Sequence, residues 1–432
     1  MSYEAYKDDT LGFTTKQLHA GYNPEEHFLS KSVPIYQTAA YELGGFDRGE
    51  KIYNNTMTGH TYARAVSPTS EVLQNRIRAL EGGASALAFA SGMAAIANTF
   101  LNLARSGDEI IAVRTLYGGS TALLGHILPQ YGIVGRFVED ENNIESYRKL
   151  INDKTKAIFI ESLGNPGINI LDIEAIADLA HEYGIPVVID NTFATPYLFR
   201  PFEHGADIVV YSATKYLGGH GTTIAGLVVE KGGFNWFNGR FPQFDEYYNE
   251  NVDHMGEEVL KREIFTKRLR SLYLVEMGAH LSPTSAFYIL QGMETLSLRL
   301  DRHVSNAQKV AEFLEKHPKV ESVAYPGLKS SPFHELSKKY FPKGPGAMMS
   351  IRIKGGKEEA KKFLESVRVF DFMVNVGDAK SMIVHPATST HANLNEQEMK
   401  DAGIYDNTIR ISVGIEDVED LINDLSQALE TI

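Results

Sequence analysis

Between residues 85 and 230, short apolar runs alternate with amphipathic segments, and this alternation constrains the fold more than any other feature of the chain. The apolar runs are SALAFA, EIIAV, KAIFIE, PVVID, DIVVYS and GLVVE, and they are separated by segments such as GMAAIANTFLNLA and DIEAIADLAHEYG. Strands that alternate with helices pair in parallel and carry helices on both faces of the sheet. The pattern therefore predicts an α/β domain built on a mainly parallel sheet.

The rest of the chain predicts two further parts. Residues 1–65 carry Gly, Pro, Asn and Thr at short intervals without a helical period, which is typical of an extended arm. The main domain is predicted over residues 66–296, with an insertion at the surface, about 231–265, that holds the single tryptophan, Trp236. Residues 297–432 mix helical and strand patterns and predict a smaller α+β domain.

The charge balance excludes one class of partner. The chain has 42 Lys and Arg against 55 Asp and Glu, a net charge of −13, whereas nucleic-acid binding requires a basic surface. No apolar run is long enough to span a membrane, and the charged start MSYEAYKDDT lacks the apolar core of a secretion signal. We expect a cytoplasmic protein that binds small molecules, with no nucleic-acid or membrane partner.

Metal and thiol chemistry are also unexpected. The chain has no cysteine, which excludes disulfides, a thiolate nucleophile and cysteine-ligated metals. The spacings of His60, His220, His385 and His391 match no typical ligand pattern. We predict that these histidines are structural and that the protein holds no metal.

The segment DIVVYSATKYLGGHG places Lys215 just after a predicted strand. Ligands of parallel sheets bind beyond the carboxyl ends of the strands, and the neighbouring glycines allow a ligand to approach the backbone. A lysine in such a place can form a Schiff base with an aldehyde cofactor once its surroundings lower its pKa. The alternative is a solvated loop lysine, which describes most lysines.

The ends of two further predicted strands carry residues that could bind other parts of such a cofactor. Asp190 ends the run PVVID, and if the cofactor is pyridoxal phosphate, an ionised carboxylate there keeps the pyridine nitrogen protonated. A turn or helix cap is the alternative for a lone Asp. Ser91, Gly92 and Met93 end a strand and open a helix, where free N–H groups and the helix dipole suit a phosphate.

These residues belong to a set of motifs that resembles the pyridoxal-phosphate-dependent enzymes of cysteine and methionine metabolism, within the aspartate-aminotransferase fold type, fold type I. The resemblance covers nearly the whole chain. It is carried by YARAVSPT, LEGG, SGMAA, ESLGNP, IDNTFATP, SATKYLGGH, LSPTSAF, GMETLSLR, VHPATSTH and IRISVGIE, in that order.

The resemblance implies a role for each matching catalytic position. Lys215 would bind pyridoxal 5′-phosphate and move protons, and Asp190 would face the pyridine nitrogen. Tyr117 would stack on the ring and assist proton transfer or departure of the leaving group. Asn165 would hydrogen-bond the ring oxygen.

The same resemblance implies how phosphate and substrate are held. Tyr62 and Arg64 would reach the phosphate from a neighbouring subunit, so the protein would be a homo-oligomer and at least a dimer. The family usually forms tetramers built as dimers of dimers, and the sequence leaves the choice between dimer and tetramer open. Arg410 would bind the substrate α-carboxylate as a bidentate fork, with Ser381 and Asn165 nearby. The remaining phosphate ligands would be Ser91, Gly92, Met93, Ser212 and Thr214.

Within the family, the sequence most resembles the O-acetylhomoserine sulfhydrylases, which implies that O-acetyl-L-homoserine and sulfide give L-homocysteine and acetate. Lys380 stands where cystathionine-handling members often have Glu, and the missing cysteine argues against a methionine γ-lyase. Lys380 either repels a second substrate amino group or simply faces solvent. Methionine γ-lyase, cystathionine γ-synthase, an aminotransferase and a non-enzymatic binding protein remain alternatives, as does a succinyl instead of an acetyl substrate.

Overall fold

The computed structural model describes residues 10–54, 56–392, 395, 399 and 403–432. The start of the chain, whose charge supported the prediction that it has no secretion signal, lies outside the described residues over 1–9. No helix in the described ranges combines the length and the apolar character needed to cross a lipid bilayer.

Two sheets organise the described residues. The first contains β1–β7, which are Ser85–Phe89, Glu109–Ala112, Val134–Phe137, Thr155–Glu161, Val187–Asp190, Ile208–Ser212 and Gly226–Glu230. The second contains β8–β12, which are Val320–Ala324, Met348–Ile353, Asp371–Phe372, Met382–Val384 and Thr408–Ser412.

The first sheet has the strand order β1-β7-β6-β5-β4-β2-β3. Strands β3, β2, β4, β5 and β6 pair in parallel, and β7 runs antiparallel to both β6 and β1. The predicted mainly parallel sheet is therefore confirmed. Every residue of β2, β4, β5 and β7 is buried, as expected for strands covered on both faces.

Helices cover the faces of both sheets. In chain order, α1–α8 are Phe13–His19, Phe46–Tyr53, Pro68–Glu81, Gly92–Leu103, Gly118–Ala122, Ile144–Arg148, Ile173–Glu182 and Thr195–Leu198. Helices α9–α16 are Pro242–Met255, Glu257–Arg268, Val275–Met277, Pro283–Met293, Leu296–Lys316, His334–Tyr340, Lys357–Ser366 and Val418–Leu429.

Local sequence signals explain the bounds of α3. The Ser67 hydroxyl accepts a hydrogen bond from the Ser70 N–H, and Pro68 occupies the first helical turn. Gly82 ends the helix in the left-handed conformation, with φ +77°, which a residue with a Cβ adopts only at a cost. Leu73 and Ile77 are fully buried and attach this helix to the core.

Most residues of the segment 231–265 are exposed or half-buried, but most of its aromatic residues are buried. Trp236 is only 2% exposed, and its ring lies 4.6 Å from that of Phe244 and 5.5 Å from that of Phe265. Aromatic residues bury large apolar areas, so this cluster packs into the main core although the surrounding residues are polar. The surface insertion remains a prediction, to which the structure adds an aromatic anchor that the polar composition did not indicate.

The second sheet is mostly antiparallel, because β12 lies between β9 and β11 and is antiparallel to both. All five of its strands lie after residue 319, which agrees with the expected smaller α+β part. The domain bounds 1–65, 66–296 and 297–432 remain predictions. What matters for function is that β12 and the segment before β11 face the carboxyl ends of β4, β5 and β6.

Candidate functional site

A cavity that is partly open to solvent lies beyond the carboxyl ends of β4, β5 and β6. This is the position expected of a ligand site on a parallel sheet. Ten of the residues predicted from the sequence line it: Ser91, Gly92, Met93, Tyr117, Asn165, Asp190, Ser212, Thr214, Lys215 and Arg410.

Lys215 lies in the turn that follows β6. Its N–H donates to the Ser212 carbonyl, and its own carbonyl accepts from the Gly219 N–H, so the turn is held on both sides. The Nζ atom lies 2.5 Å from Oδ1 of Asn375, which belongs to the segment between β10 and β11. Burial, followed by the charge of Arg410, lowers the pKa of Lys215 to about 8. About a tenth of the amine is therefore neutral at pH 7, against less than about a thousandth for an ordinary lysine, and the neutral form is the one that a nucleophile or a base requires.

This pKa leads to a testable labelling profile. Only the neutral amine reacts with an acylating reagent, and the neutral fraction rises as the pH passes upward through the pKa. In the cofactor-free protein, a brief pulse of acetic anhydride should label Lys215 half-maximally at about pH 8, whereas exposed lysines, as an internal control, should keep gaining reactivity to about pH 10. Peptide mass spectrometry reads both. A Lys215 profile identical to that of the exposed lysines would contradict the buried placement.

Asp190, the last residue of β5, is 8% exposed. Its Oδ1 atom accepts from the Thr192 N–H at 2.9 Å and from the Thr192 hydroxyl at 2.5 Å. Burial raises the pKa of Asp190 to about 6, although these two donors act in the opposite direction. A cationic group in the cavity would stabilise the ionised form. The protonated pyridine nitrogen of pyridoxal phosphate is a group of that kind.

The first turn of α4 provides an anion site in the same cavity. Ser91 caps the helix by accepting from the Ala94 N–H. Gly92 and Met93 also lie in the first turn, where backbone N–H groups have no carbonyl partner within the helix. A Cβ on Gly92 would lie 2.7 Å from the Ser212 Cβ, which explains why glycine stands there. With the hydroxyls of Ser212 and Thr214 beside it, this turn fits a phosphate.

Arg410, from β12, brings a positive charge to the cavity. It is 5% exposed, and its Nη1 donates to Asn165 Oδ1 at 3.2 Å. Burial lowers the pKa of Arg410 to about 10, and among the described residues it forms no ion pair with a carboxylate. A buried guanidinium without an anionic partner is costly, so a carboxylate ligand would stabilise it.

Tyr117 stands at the cavity edge, half exposed, at the start of α5. Its N–H donates to Oε1 of Glu161 at 2.6 Å, and Glu161 is the last residue of β4. The ring is therefore supported through its backbone by a buried carboxyl group.

Four of the residues considered in the sequence lie away from this cavity. Tyr62 and Arg64 border a separate depression together with His280, and Tyr62 is 49% exposed. Ser381 is fully buried, and its hydroxyl donates to Glu416 Oε2 at 2.9 Å, so it does not line the cavity. Lys380 is exposed and does not line it either.

Four polar residues of the cavity were not assigned from the sequence: Glu161, Thr192, Asn375 and Thr390. Glu161 and Thr192 lie within the quoted motifs ESLGNP and IDNTFATP, at strand ends, so a systematic reading of every strand end would have found them. Asn375 comes from the second sheet region, and no local pattern connects it to Lys215.

Comparisons with known proteins agree with this geometry. The family model described as Cys/Met metabolism PLP-dependent enzyme matches residues 14–430. A Leptospira meyeri protein named O-acetyl-L-homoserine sulfhydrylase is 44% identical, covering 99% of this chain and 97% of its own. A Schizosaccharomyces pombe protein named homocysteine synthase is 43% identical, covering 97% and 98%.

A solved structure extends the likeness to three dimensions. A Campylobacter jejuni crystal structure, described as an O-acetylhomoserine (thiol)-lyase with a pyridoxyl-lysine phosphate group, superposes with a TM-score of 0.92. It is 41% identical, covering 97% of this chain and 100% of that one. The fold is therefore that of the pyridoxal-phosphate enzymes of fold type I, as predicted, and the cofactor is pyridoxal 5′-phosphate. The chain belongs to the family of Cys/Met metabolism PLP-dependent enzymes.

Proposed function

We propose that this protein is an O-acetylhomoserine sulfhydrylase that converts O-acetyl-L-homoserine and sulfide to L-homocysteine and acetate. The observation that carries the proposal is the joint placement of Lys215 and Arg410 in one cavity: an amine with a lowered pKa lies beside a buried, unpaired guanidinium. A substrate with an α-amino and an α-carboxyl group fits this pair. The names of the relatives from Leptospira meyeri and Schizosaccharomyces pombe support the choice of reaction.

When bound, pyridoxal phosphate supplies an electron sink that stabilises negative charge on the substrate carbon next to the amino group. Lys215 Nζ provides the base: it takes the proton from that carbon and returns protons in the later steps. The Cγ–O bond breaks as acetate leaves with its electron pair, and the Cγ–S bond forms with sulfide. Asp190 keeps the ring nitrogen protonated, and Tyr117 covers the ring.

Arg410 and Asn165 orient the substrate for this chemistry. The guanidinium binds the α-carboxylate with two parallel hydrogen bonds, which fixes the substrate relative to Lys215 Nζ. Ser350, the register partner of Arg410 on β9, donates its hydroxyl to the Pro166 carbonyl at 2.6 Å and so supports the turn that carries Asn165. The second sheet thereby positions the substrate above the first.

The reaction is tested by its products. The purified enzyme, incubated with O-acetylhomoserine, O-succinylhomoserine, cystathionine or methionine, each with and without sulfide, should turn over O-acetylhomoserine with sulfide at the highest kcat/KM. Faster cleavage of methionine would identify a γ-lyase instead. Release of a keto acid with a converted cofactor would identify an aminotransferase.

Lys380 should contribute nothing to this preference. Because its side chain is exposed and does not line the cavity, Lys380→Glu should leave the kcat/KM ratio of O-acetylhomoserine to cystathionine unchanged. Val374→Glu, at a residue that does line the cavity, is the matched comparison and should alter that ratio. A shift toward cystathionine with Lys380→Glu would show that the lysine reaches the substrate.

The site is completed by a second copy of the chain in this proposal, in a homo-oligomer built from dimers. Tyr62 and Arg64 border a depression of their own and do not line the cavity of the same chain. The arm that carries them exposes apolar side chains, with Phe28 98% and Phe46 85% exposed, which a neighbouring subunit would cover.

Mixing inactive subunits tests the shared site. Lys215→Ala and Arg64→Ala homo-oligomers should each be inactive or nearly so. A hybrid dimer regains one site with both residues intact, so mixing under conditions of subunit exchange should recover up to about a quarter of the wild-type activity. Mass spectrometry of intact hybrids verifies the exchange. Hybrids that form and remain inactive would contradict the shared site.

A further inference from the structure

Two carboxyl groups lie side by side at the floor of the cavity. Glu161 and Asp190 are the last residues of β4 and β5, and they are direct partners in the parallel register. Residues paired in this way point to the same face of a sheet. Glu161 is 7% and Asp190 8% exposed, and both line the cavity. The site assigned to the ring nitrogen therefore contains a second acid that no proposed step uses.

The hydrogen bonds of the two carboxyl groups differ. Asp190 accepts two donors from Thr192, an N–H and a hydroxyl, and both stabilise its ionised form. Glu161 accepts one, the N–H of Tyr117. Two like charges in a buried site are costly, so the proton resides on the group with fewer donors.

The groups around Glu161 strengthen this assignment. Glu141 also faces it, and Glu141 accepts from the Thr115 N–H at 2.8 Å and the Thr115 hydroxyl at 2.6 Å. Glu141 and Asp190 are the charged groups that act on Glu161 most strongly. The cations Lys215 and Arg410 line the same cavity but act on Glu161 less strongly. Burial first, and then the charge of Asp190, raise the pKa of Glu161 well above its usual value.

We propose that Glu161 is a positioning residue that keeps its proton: its neutral carboxyl group holds the backbone of Tyr117 through Oε1 and leaves the negative charge on Asp190. The inference rests on the roles proposed above for Tyr117 and Asp190. It adds a reason why a buried acid stands at this strand end. A neutral Glu161 carboxyl group can accept the Tyr117 N–H without adding a second negative charge that would favour protonation of Asp190.

The test uses two variants of the holoenzyme. Glu161→Gln keeps a neutral group with an acceptor oxygen, and Glu161→Met keeps the volume but removes the acceptor. The first readout is the pH titration of the visible absorption band of the bound cofactor. Glu161→Gln should leave its midpoint where the wild type has it. If Glu161 is ionised in the wild type, Glu161→Gln removes a negative charge and should lower the midpoint of this titration by roughly one pH unit. Such a shift would overturn the inference.

The second readout is kcat. Glu161→Met releases the Tyr117 backbone, so its kcat should fall roughly ten- to a hundredfold, while Glu161→Gln should recover most of that loss. Equal kcat values for the two variants would overturn the anchoring role. Glu81→Gln is the matched control, because Glu81 is another buried carboxyl group whose pKa burial raises to about 8, and it does not line the cavity.

Two outcomes keep this inference apart from the proposed function. If Glu161→Met does not fold, the titration of Glu161→Gln still decides the protonation state. Asp190→Asn and Tyr117→Phe, measured in the same titration, test the site itself. If neither Asp190→Asn nor Tyr117→Phe changes the absorption spectrum, the proposed site is wrong. If these variants change the spectrum but Glu161→Gln and Glu161→Met behave alike, only the role of Glu161 is wrong.

Discussion

Lys215→Ala is expected to lower kcat by at least about 10³-fold and to abolish covalent attachment of the cofactor. Among the described residues that line the cavity, Lys215 is the one that carries an amine, so its loss removes the group proposed above as both nucleophile and base. Borohydride reduction of the wild-type holoenzyme, followed by peptide mapping, should place the pyridoxyl group on Lys215, and the variant should yield no modified peptide.

An exposed lysine provides the control for this experiment. Lys380→Ala removes a side chain of the same kind from the surface and should leave both kcat and the reduced peptide as in the wild type. Equal thermal unfolding midpoints for the two variants would show that Lys215→Ala is folded. A pyridoxyl group on another lysine would refute the assignment of Lys215.

The parallel sheet and the residues at its strand ends could be predicted because their signals are local. Lys215, Asp190 and Ser91 each follow an apolar run, and the carboxyl ends of parallel strands necessarily meet at one edge of the sheet. The positions of the apolar runs were therefore enough to predict that these three side chains lie at the same edge of the sheet. The resemblance to a known family added Tyr117, Asn165 and Arg410, which no local pattern singles out.

Contacts between the two sheets could not be predicted in this way. The Asn375 side chain reaches Lys215 Nζ across 160 positions of sequence, and only the packing of the second sheet on the first brings them together. Ser381 shows the converse: the family resemblance implied a place near the substrate, whereas its hydroxyl donates to the half-buried Glu416 and the residue does not line the cavity. The burial of Trp236 was likewise not predicted, because the packing of aromatic rings outweighs the polarity of the neighbouring residues.

Substitution of Arg410 should separate binding from stability. Arg410→Met removes the guanidinium that is proposed above to bind the α-carboxylate with two parallel bonds, so kcat/KM for O-acetylhomoserine should fall about 10²- to 10³-fold, mainly through a higher KM. Arg410→Lys keeps the charge but not the planar fork, and it should recover only part of the loss. Initial rates over a range of O-acetylhomoserine concentrations measure both effects.

The unfolding midpoint should respond in the opposite direction. In the substrate-free protein, the Arg410 guanidinium is buried and has no anionic partner among the described residues. Its burial lowers the pKa of Arg410 below the usual value. Replacing such a charge by an apolar side chain of similar length is neutral or stabilising. We therefore expect Arg410→Met to unfold at the wild-type temperature or a few degrees above it.

A neighbouring arginine makes this comparison specific. Arg352 lies on β9, paired in register with Thr408 of β12, and forms a partly exposed ion pair with Glu321 at 2.8 Å. Such pairs contribute little, so Arg352→Met should leave KM unchanged and the unfolding midpoint within a few degrees of the wild type. A large loss of stability in Arg410→Met, with KM unaffected, would mean that Arg410 serves the fold. A raised KM without a loss of stability in Arg410→Met would mean that the guanidinium is buried to bind the substrate carboxylate and not to stabilise the fold.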